Sequence, residues 1–271
     1  MNSCINQPVL FQSQTNEIHL WFTKPNTIHQ TGLLKQYRSL LSEQEILKQQ
    51  SYVFPNKRHN ELITRSFIRN ILSHYINIHP SRWQFKKDNY NKPKIIQSLL
   101  PLQFNISHSD DLILCAITQN NEIGCDVESI NRNCNFLSIA KNIFSIAEYS
   151  DLINTPVGRQ RSRFFDYWTL KESYVKACGL GFAMYLADFG FRIGETKSKK
   201  FNDNIQLEYK NKHSGHPVNS RSWLFRPNKR HRIAISIKAN SFCQTKEFKF
   251  RFFENIPLYK TTELNELNFN G

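Results

Sequence analysis

The sequence predicts an α+β protein built as two similar halves in one chain, meeting near residue 120. Three observations carry this. Some segments alternate apolar and polar residues at the period of a half-buried strand, as Ile18, Leu20 and Phe22 do in EIHLWFT. Others repeat apolar residues at helical intervals, as Leu62, Phe67, Ile71, Leu72 and Tyr75 do. The order of helices then strands occurs once in each half, with no fixed-period repeat of the solenoid kind.

Residues 1–16 form a polar N-terminal segment, and the N-terminal half runs over 17–120. Its opening strand is EIHLWFT. Two further segments follow, Leu33 to Gln50 and Arg58 to Ile78; His79-Pro80 ends the second, a helix with Arg65 and Arg69 one turn apart on one face. Asn89-Tyr90-Asn91 before Lys92-Pro93 signals a turn. Phe104 to Ile106 is a short strand entering Ser107-His108-Ser109. After a turn at Asp110-Asp111, LILCAIT (Leu112 to Thr118) is a nearly continuous apolar strand. Gln119 to Asn121 turns the chain back into Glu122 to Glu128, which is expected to pair with it as a hairpin. The C-terminal half, 121–240, continues with a helix over Leu137 to Ile153, a loop at Thr155 to Gly158 and a long helix over Gln160 to Cys178. Strands at Phe189 to Ile193, Ile205 to Tyr209, Trp223 to Phe225 and Arg232 to Ile237 complete it. The tail, 241–271, mixes Phe, Lys and Arg and carries no assignment.

Composition narrows the class. With 271 residues, 39% of them hydrophobic, the chain can bury a sizeable core. A net charge of +14, from 36 basic against 22 acidic residues, favours an anionic partner: nucleic acid, a membrane surface, a phosphorylated small molecule or an acidic protein. A solvated basic surface kept for solubility gives the same charge. The six cysteines are irregularly spaced without C-x-x-C, which speaks against zinc. Cys115 and Cys125 lie in apolar runs and read as reduced, buried thiols. No apolar run approaches the ~20 residues of a membrane span, and no signal-peptide pattern opens the chain. A cytoplasmic protein without membrane association is expected.

Three stretches could carry chemistry. In EIGCDVESI, strand alternation turns Ile123, Cys125 and Val127 to one side and Glu122, Gly124, Asp126 and Glu128 to the other. Carboxylates at i and i+2 on one face repel unless something positive joins them. That face is either an exposed acidic surface screened by water or a site for a divalent metal; hard oxygen donors select magnesium. In WTLKESYVKACGLGF, Trp168, Glu172 and Lys176 stack one turn apart. Taken alone, Glu172 and Lys176 read as a surface salt bridge of a few tenths of a kcal/mol, although Trp168 on the same stripe argues against full exposure. In Ser107-His108-Ser109, two hydroxyls flank an imidazole, a set suited to a phosphate or to water around a metal.

In order and spacing, these stretches resemble the 4′-phosphopantetheinyl transferases of the surfactin-synthetase-activating (Sfp) type. The resemblance rests on F-N-I-S-H-S (Phe104 to Ser109), G-C-D-V-E (Gly124 to Glu128), F-S-x-x-E-Y (Phe144 to Tyr149) and W-T-L-K-E-S-Y-x-K-A-x-G-x-G (Trp168 to Gly181), with weaker support from Arg65 to Arg69 and Tyr90-Asn-Lys92-Pro93. It implies a monomeric pseudo-dimer of two α+β halves with the active site between them. It also implies transfer of the phosphopantetheine arm of coenzyme A to a serine of an acyl, aryl or peptidyl carrier protein, with magnesium as cofactor and adenosine 3′,5′-bisphosphate as leaving product. By motif position Asp126, Glu128 and Glu172 would hold magnesium, Lys176 would contact the coenzyme A phosphates, and Ser107, His108 and Lys92 would lie along the phosphate and 3′-phosphate region. Glu172, directly or through a water it orients, would accept the serine proton. The chain departs from the family at Leu180, where a basic residue is usual, at Asp110, where Gly is usual, at Arg58, His59 or Asn60, none of which clearly supplies an expected base, and at Cys125. Two other readings compete. One is a basic nucleic-acid-binding protein, suggested by KEFKFRFF (Lys246 to Phe253) but lacking a recognition-helix or aromatic-platform motif. The other is a non-catalytic member that only binds carriers, against which the intact Asp126, Glu128, Glu172 and Lys176 stand.

Overall fold

A computed structural model describes residues 11, 16–88, 90, 92–96, 100–109, 111–181, 184–210, 220–238 and 247–267. Most of the polar N-terminal segment, Asn89, Asn91, Asp110, Phe182 and Lys246 lie outside the described residues.

In chain order the first half contains β1 (Asn16–Thr23), α1 (Thr31–Leu40), α2 (Glu43–Ser51), α3 (Pro55–Leu72), β2 (Phe85–Lys87), β3 (Pro93–Ile95), β4 (Leu102–Ser109) and β5 (Leu112–Gln119). The second contains β6 (Glu122–Ser129), α4 (Phe136–Ile143), α5 (Ile146–Asn154), α6 (Val157–Cys178), β7 (Phe189–Ile193), β8 (Phe201–Asn202), β9 (Ile205–Tyr209), β10 (Ser220–Phe225) and β11 (His231–Lys238). The tail adds β12 (Phe248–Ile256) and β13 (Lys260–Leu264). Two segments read as continuous, Leu33 to Gln50 and Leu137 to Ile153, are each broken in two. Both breaks fall at S-x-x-E, where Ser42 with Glu45 and Ser145 with Glu148 form capping boxes that start a new helix.

Among the described residues the main strands form two sheets, β13-β12-β1-β5-β4 and β6-β11-β10-β8. The expected hairpin between Leu112 to Thr118 and Glu122 to Glu128 does not form. β5 pairs with β1 and β4, whereas β6 pairs with β11. Apolar burial explains the difference. β5 is buried on both faces, with Ile113, Cys115 and Ile117 toward the helices of the first half and Leu112, Leu114 and Ala116 toward β6. The apolar face of β6 meets that second set across a core instead of lying beside it. Asn120, in the left-handed region at φ 64°, swings the chain from one sheet to the other. The result is four layers: helices, sheet, sheet, helices, with apolar clusters filling each of the three spaces between them. Cys115 and Cys125 are free and buried, as expected. No helix among the described residues is long and apolar enough to cross a membrane.

Where the sheets abut, β4 and β6 are joined by side chains. The Cys125 N–H donates to Asn105 Oδ1 at 2.9 Å, the Val127 N–H to Ser107 Oγ at 3.3 Å and the Ser129 N–H to Ser109 Oγ at 2.9 Å. On its other face β6 is covered by α6, so the side holding Gly124 and Asp126 is buried and is not a free acidic surface. Gly124 permits that approach. A Cβ there would stand 2.0 Å from Ser173 O, 2.3 Å from Ala177 N and 2.8 Å from Lys176 C, all backbone atoms that cannot swing aside.

A buried polar network lies inside the first half. The Trp21 Nε1–H donates to Tyr75 OH at 2.6 Å, so the phenol proton is left to donate to His19 Nδ1 at 2.8 Å, and His19 Nε2–H donates to Glu17 at 3.0 Å. Burial is the main cause that lowers His19 from 6.5 to about 4.

Two outcomes follow from this packing. Gly124→Ala should destabilise the fold by roughly 1–3 kcal/mol or more, because α6 must move off the sheet; chemical denaturation measures it, and an unchanged midpoint would contradict the close approach. Because the unfolded chain protonates His19 before the folded one does, stability should be complete above pH 6.5 and fall as pH drops toward about 4. The loss from this group is on the order of 3 kcal/mol, and it should be largely absent from the pH profile of His19→Gln.

Candidate active site

Three elements build the site. β6 supplies Asp126 and Glu128, α6 supplies Trp168, Glu172 and Lys176, and β4 supplies Ser107 from the other half. The close packing of α6 on Gly124 sets the Lys176 backbone beside β6, and the lysine side chain then folds along the strand. Lys176 Nζ donates to Asp126 Oδ1 at 2.7 Å, to Ser107 Oγ at 3.1 Å and to the Cys125 carbonyl at 3.2 Å. The ion pair of Lys176 among the described residues is therefore with Asp126, and the i, i+4 pair with Glu172 is not formed. Burial opposes the Lys176 charge, but Asp126, Cys125 and Glu172 outweigh it and raise its pKa above the ordinary lysine value.

The carboxylates are incompletely neutralised. Burial, then the Asp126 charge, pushes Glu128 up to about 7 despite Arg132, which donates to its Oε1 at 2.7 Å, and Trp168 Nε1, at 3.1 Å. Burial and Asp126 raise Glu172 as well. Asp126 Oδ2 is buried with no hydrogen-bond partner. Of the three, Glu172 lines a cleft of about 510 Å³, whose walls also include Tyr90, Ile106, Trp168, Lys176 and Met184; Asp126 and Glu128 lie behind it on β6, close enough for the Asp126 charge to act on both glutamates. They are not yet gathered about one point: among the described residues no three His, Cys, Asp or Glu side chains stand together at ligating distance.

Other residues singled out in the sequence are placed differently. Lys92 lines the cleft, with its ammonium bonded to Glu122 Oε2 at 2.8 Å and the Ile123 carbonyl at 3.1 Å. His108 is exposed on the strand face opposite Ser107; partial burial and the charges of Lys176 and Lys57 hold its imidazole below its ordinary value. Arg69 is buried and serves the fold, donating to the Trp83 carbonyl at 2.7 Å and to Glu45 at 2.6 Å.

One pair escaped the sequence reading. Lys171, fully buried beside Glu172 in sequence, forms a 2.8 Å ion pair with Glu148 and donates to the Leu186 and Phe189 carbonyls at 2.8 and 2.6 Å. Glu148 also accepts from Ser145 N and Phe191 N, each at 2.8 Å. The pair pins the cleft-lining Leu186 segment to α6. Its signal was present: Lys171 sits on the apolar stripe of Phe164, Tyr167 and Tyr174, and a lysine there needs a buried carboxylate.

Known proteins bear on this geometry. The family model for the 4′-phosphopantetheinyl transferase superfamily matches residues 122–236. The model for the N-terminal region of 4′-phosphopantetheinyl transferase matches residues 29–120. The chain is 32% identical to 4′-phosphopantetheinyl transferase HetI of Nostoc sp. (strain PCC 7120), over 62% of this chain and 71% of that protein. It is 32% identical to 4′-phosphopantetheinyl transferase gsp of Aneurinibacillus migulanus, over 69% and 76%. It is also 32% identical to 4′-phosphopantetheinyl transferase Sfp of Bacillus subtilis (strain 168), over 56% and 72%. A solved holo-(acyl-carrier-protein) synthase from Bacillus anthracis, in complex with CoA (3′,5′-ADP), aligns with 44% of this chain and 96% of its own at 20% identity, with a TM-score of 0.35, too loose an overlap to carry weight. The two family matches adjoin where the chain passes from one sheet to the other, and with this agreement the chain belongs to the 4′-phosphopantetheinyl transferase superfamily.

Proposed function

We propose that the cleft beside Glu172 and Lys176 transfers the 4′-phosphopantetheine arm of coenzyme A to a serine hydroxyl of an acyl, aryl or peptidyl carrier protein, releasing adenosine 3′,5′-bisphosphate. The observation that carries this reading is the grouping of Asp126 and Glu128 on β6 with Glu172 and Lys176, the two that line the cleft, and with Asp126 Oδ2 buried and unpartnered. That orphaned oxygen, and two neighbouring carboxylates held above their ordinary range, are what a divalent cation would relieve, so the donor set fits magnesium. Asp126, Glu128 and Glu172 would hold it, Glu128 turning from Arg132 to do so, and when bound it supplies neutralising charge at the pyrophosphate.

The chain's own residues account for the remaining chemistry. The serine oxygen attacks the phosphorus that bears pantetheine, that phosphorus parts from the nucleotide, and negative charge develops on the leaving phosphate oxygen. Lys176 is placed to stabilise this charge, in a partly buried setting where a fixed cation acts more strongly than in water. Glu172 has a raised proton affinity and no competing ion pair among the described residues, which suits it to take the serine proton directly or through a water. The apolar cleft wall of Ile106, Val175, Met184 and Leu186 would receive the pantetheine chain and keep water from the phosphorus. Lys92 lines the cleft from the first half, and by motif position it and His108 would serve the nucleotide phosphates.

Incubation of the protein with coenzyme A, magnesium and a panel of apo carriers should add one phosphopantetheine mass to at least one of them. Chelation should abolish the gain and added magnesium restore it; no gain on any carrier would falsify the assignment. Asp126→Ala and Lys176→Ala should each lower kcat by about 100-fold or more while the circular dichroism spectrum is retained. Near-normal turnover in either variant would remove that residue from the site.

A further inference from the structure

We propose that the groove between the β2–β3 hairpin and the exit of α6 is a binding site for a small oligophosphate anion, separate from the cleft described above. The groove has a volume of about 590 Å³, and Lys86, Lys87, Lys94 and Lys238 line it together with Asp88 and Glu122. Tyr90 and Gly179 line both spaces and form the wall between them. Asp126, Glu128, Glu172, Lys176 and His108 take no part in the groove, so the inference does not depend on the function proposed above. Lys86, Lys87 and Lys94 come from the first half and Lys238 from the second, so an anion held here would bridge the two.

The charges in the groove do not balance. Asp88 Oδ1 accepts the N–H groups of Tyr90 and Lys92 at 2.9 and 3.0 Å, which fixes the hairpin turn. Glu122 accepts from Lys92 Nζ at 2.8 Å and from Lys94 Nζ at 3.3 Å. Burial opposes the Glu122 charge, but these two ammonium groups outweigh it and hold the carboxyl below its ordinary value. Lys238 stands opposite Glu122 in the β6–β11 ladder, yet the carboxylate is turned to Lys92 and Lys94. Lys86 stands opposite Lys94 in the β2–β3 ladder, a like-charge pairing that costs stability unless something negative joins it. Lys86, Lys87 and Lys238 have no ion-pair partner among the described residues. With Lys92, five ammonium groups stand against two carboxylates, a surplus of three positive charges. The C-terminal end of α6 sets about half a negative charge against this surplus, too little to cancel it. Lysine is a compact point charge suited to phosphate. These lysines converge on one groove and do not run along a face, which fits a short oligophosphate better than a nucleic-acid backbone.

The test titrates the full chain with sodium tripolyphosphate by calorimetry, without divalent metal and at low ionic strength, and follows thermal unfolding under the same conditions. Tripolyphosphate should bind and raise the melting temperature, and orthophosphate, which spans fewer lysines, should bind more weakly. Lys87→Gln and Lys238→Gln should each weaken tripolyphosphate binding by about 10-fold. Lys86→Gln relieves the pairing with Lys94, so without anion it should melt about 1–3 °C above the parent and gain less from tripolyphosphate. Lys176→Ala, in the cleft, and Lys35→Gln, on α1, should keep the parent affinity within about twofold. No binding, or an equal loss in Lys35→Gln, would overturn the proposal. Loss of binding in Lys176→Ala with the groove variants unaffected would overturn it by placing the anion in the cleft. A KM for coenzyme A raised about 10-fold in Lys87→Gln and Lys238→Gln would overturn the separateness of the groove. Displacement of tripolyphosphate by an equal phosphate concentration of duplex DNA would overturn the choice of a small anion.

Discussion

The arrangement depends on how two sheet edges meet. β4 and β6 lie side by side, yet each keeps its backbone ladder for its own sheet. The contact between them is left to Asn105, Ser107 and Ser109, short polar side chains that give β6 the hydrogen bonds a strand would otherwise give. A continuous backbone ladder would have merged the halves into one sheet. A dry apolar contact would have left β6 amides unsatisfied at real cost. The polar ladder avoids both, and it brings a serine of one half within reach of a carboxylate and a lysine of the other.

A second constraint acts on the opposite side of β6. With only hydrogen at Gly124, α6 lies almost on the strand backbone, and Ser173 and Ser236 meet through their hydroxyls at 2.8 Å. That short separation places Glu172 near Asp126 and Glu128, against the repulsion of three carboxylates. Burial, with the Asp126 charge behind it, raises the proton affinities of Glu128 and Glu172; Lys176 counters part of this but is paired directly with Asp126. Electrostatic strain is thus concentrated where phosphate chemistry would use it, and the apolar layers on either side hold it in place.

Much of this was legible in the sequence. Strand alternation identified Gly124, Asp126 and Glu128 as one face, and helical spacing put Trp168, Glu172 and Lys176 on one stripe, because both periods are local properties of the backbone. What escaped was decided by partners distant in sequence. The turn at Gln119 to Asn121 looked like a hairpin because its local chemistry permits one; only the two-sided burial of β5 sends β6 to another sheet. Taken alone, helical spacing offers Lys176 a partner in Glu172 one turn away; the ammonium is bonded instead to Asp126, from a strand fifty residues earlier. The breaks at Ser42 and Ser145 were readable, since both carry S-x-x-E. In β12 the alternation of Phe248, Phe250 and Phe252, which face the second sheet, is interrupted by Phe253, which faces the first half's helices, and the mixed aromatic and basic run was left without an assignment.

β12 also runs parallel to β1, with Asn16 opposite Phe248 and Phe22 opposite Glu254. During synthesis the first half therefore emerges with one side of its opening strand unpaired, and the segment that covers it leaves the ribosome only after the whole second half. Until then β1 presents open amides and carbonyls beside the apolar surface of Ile18, Leu20 and Phe22, the features that invite pairing with a neighbouring nascent chain. The first half is completed only after the second, so its folding is a late, long-range closure, with the slow kinetics expected of non-local strand pairing.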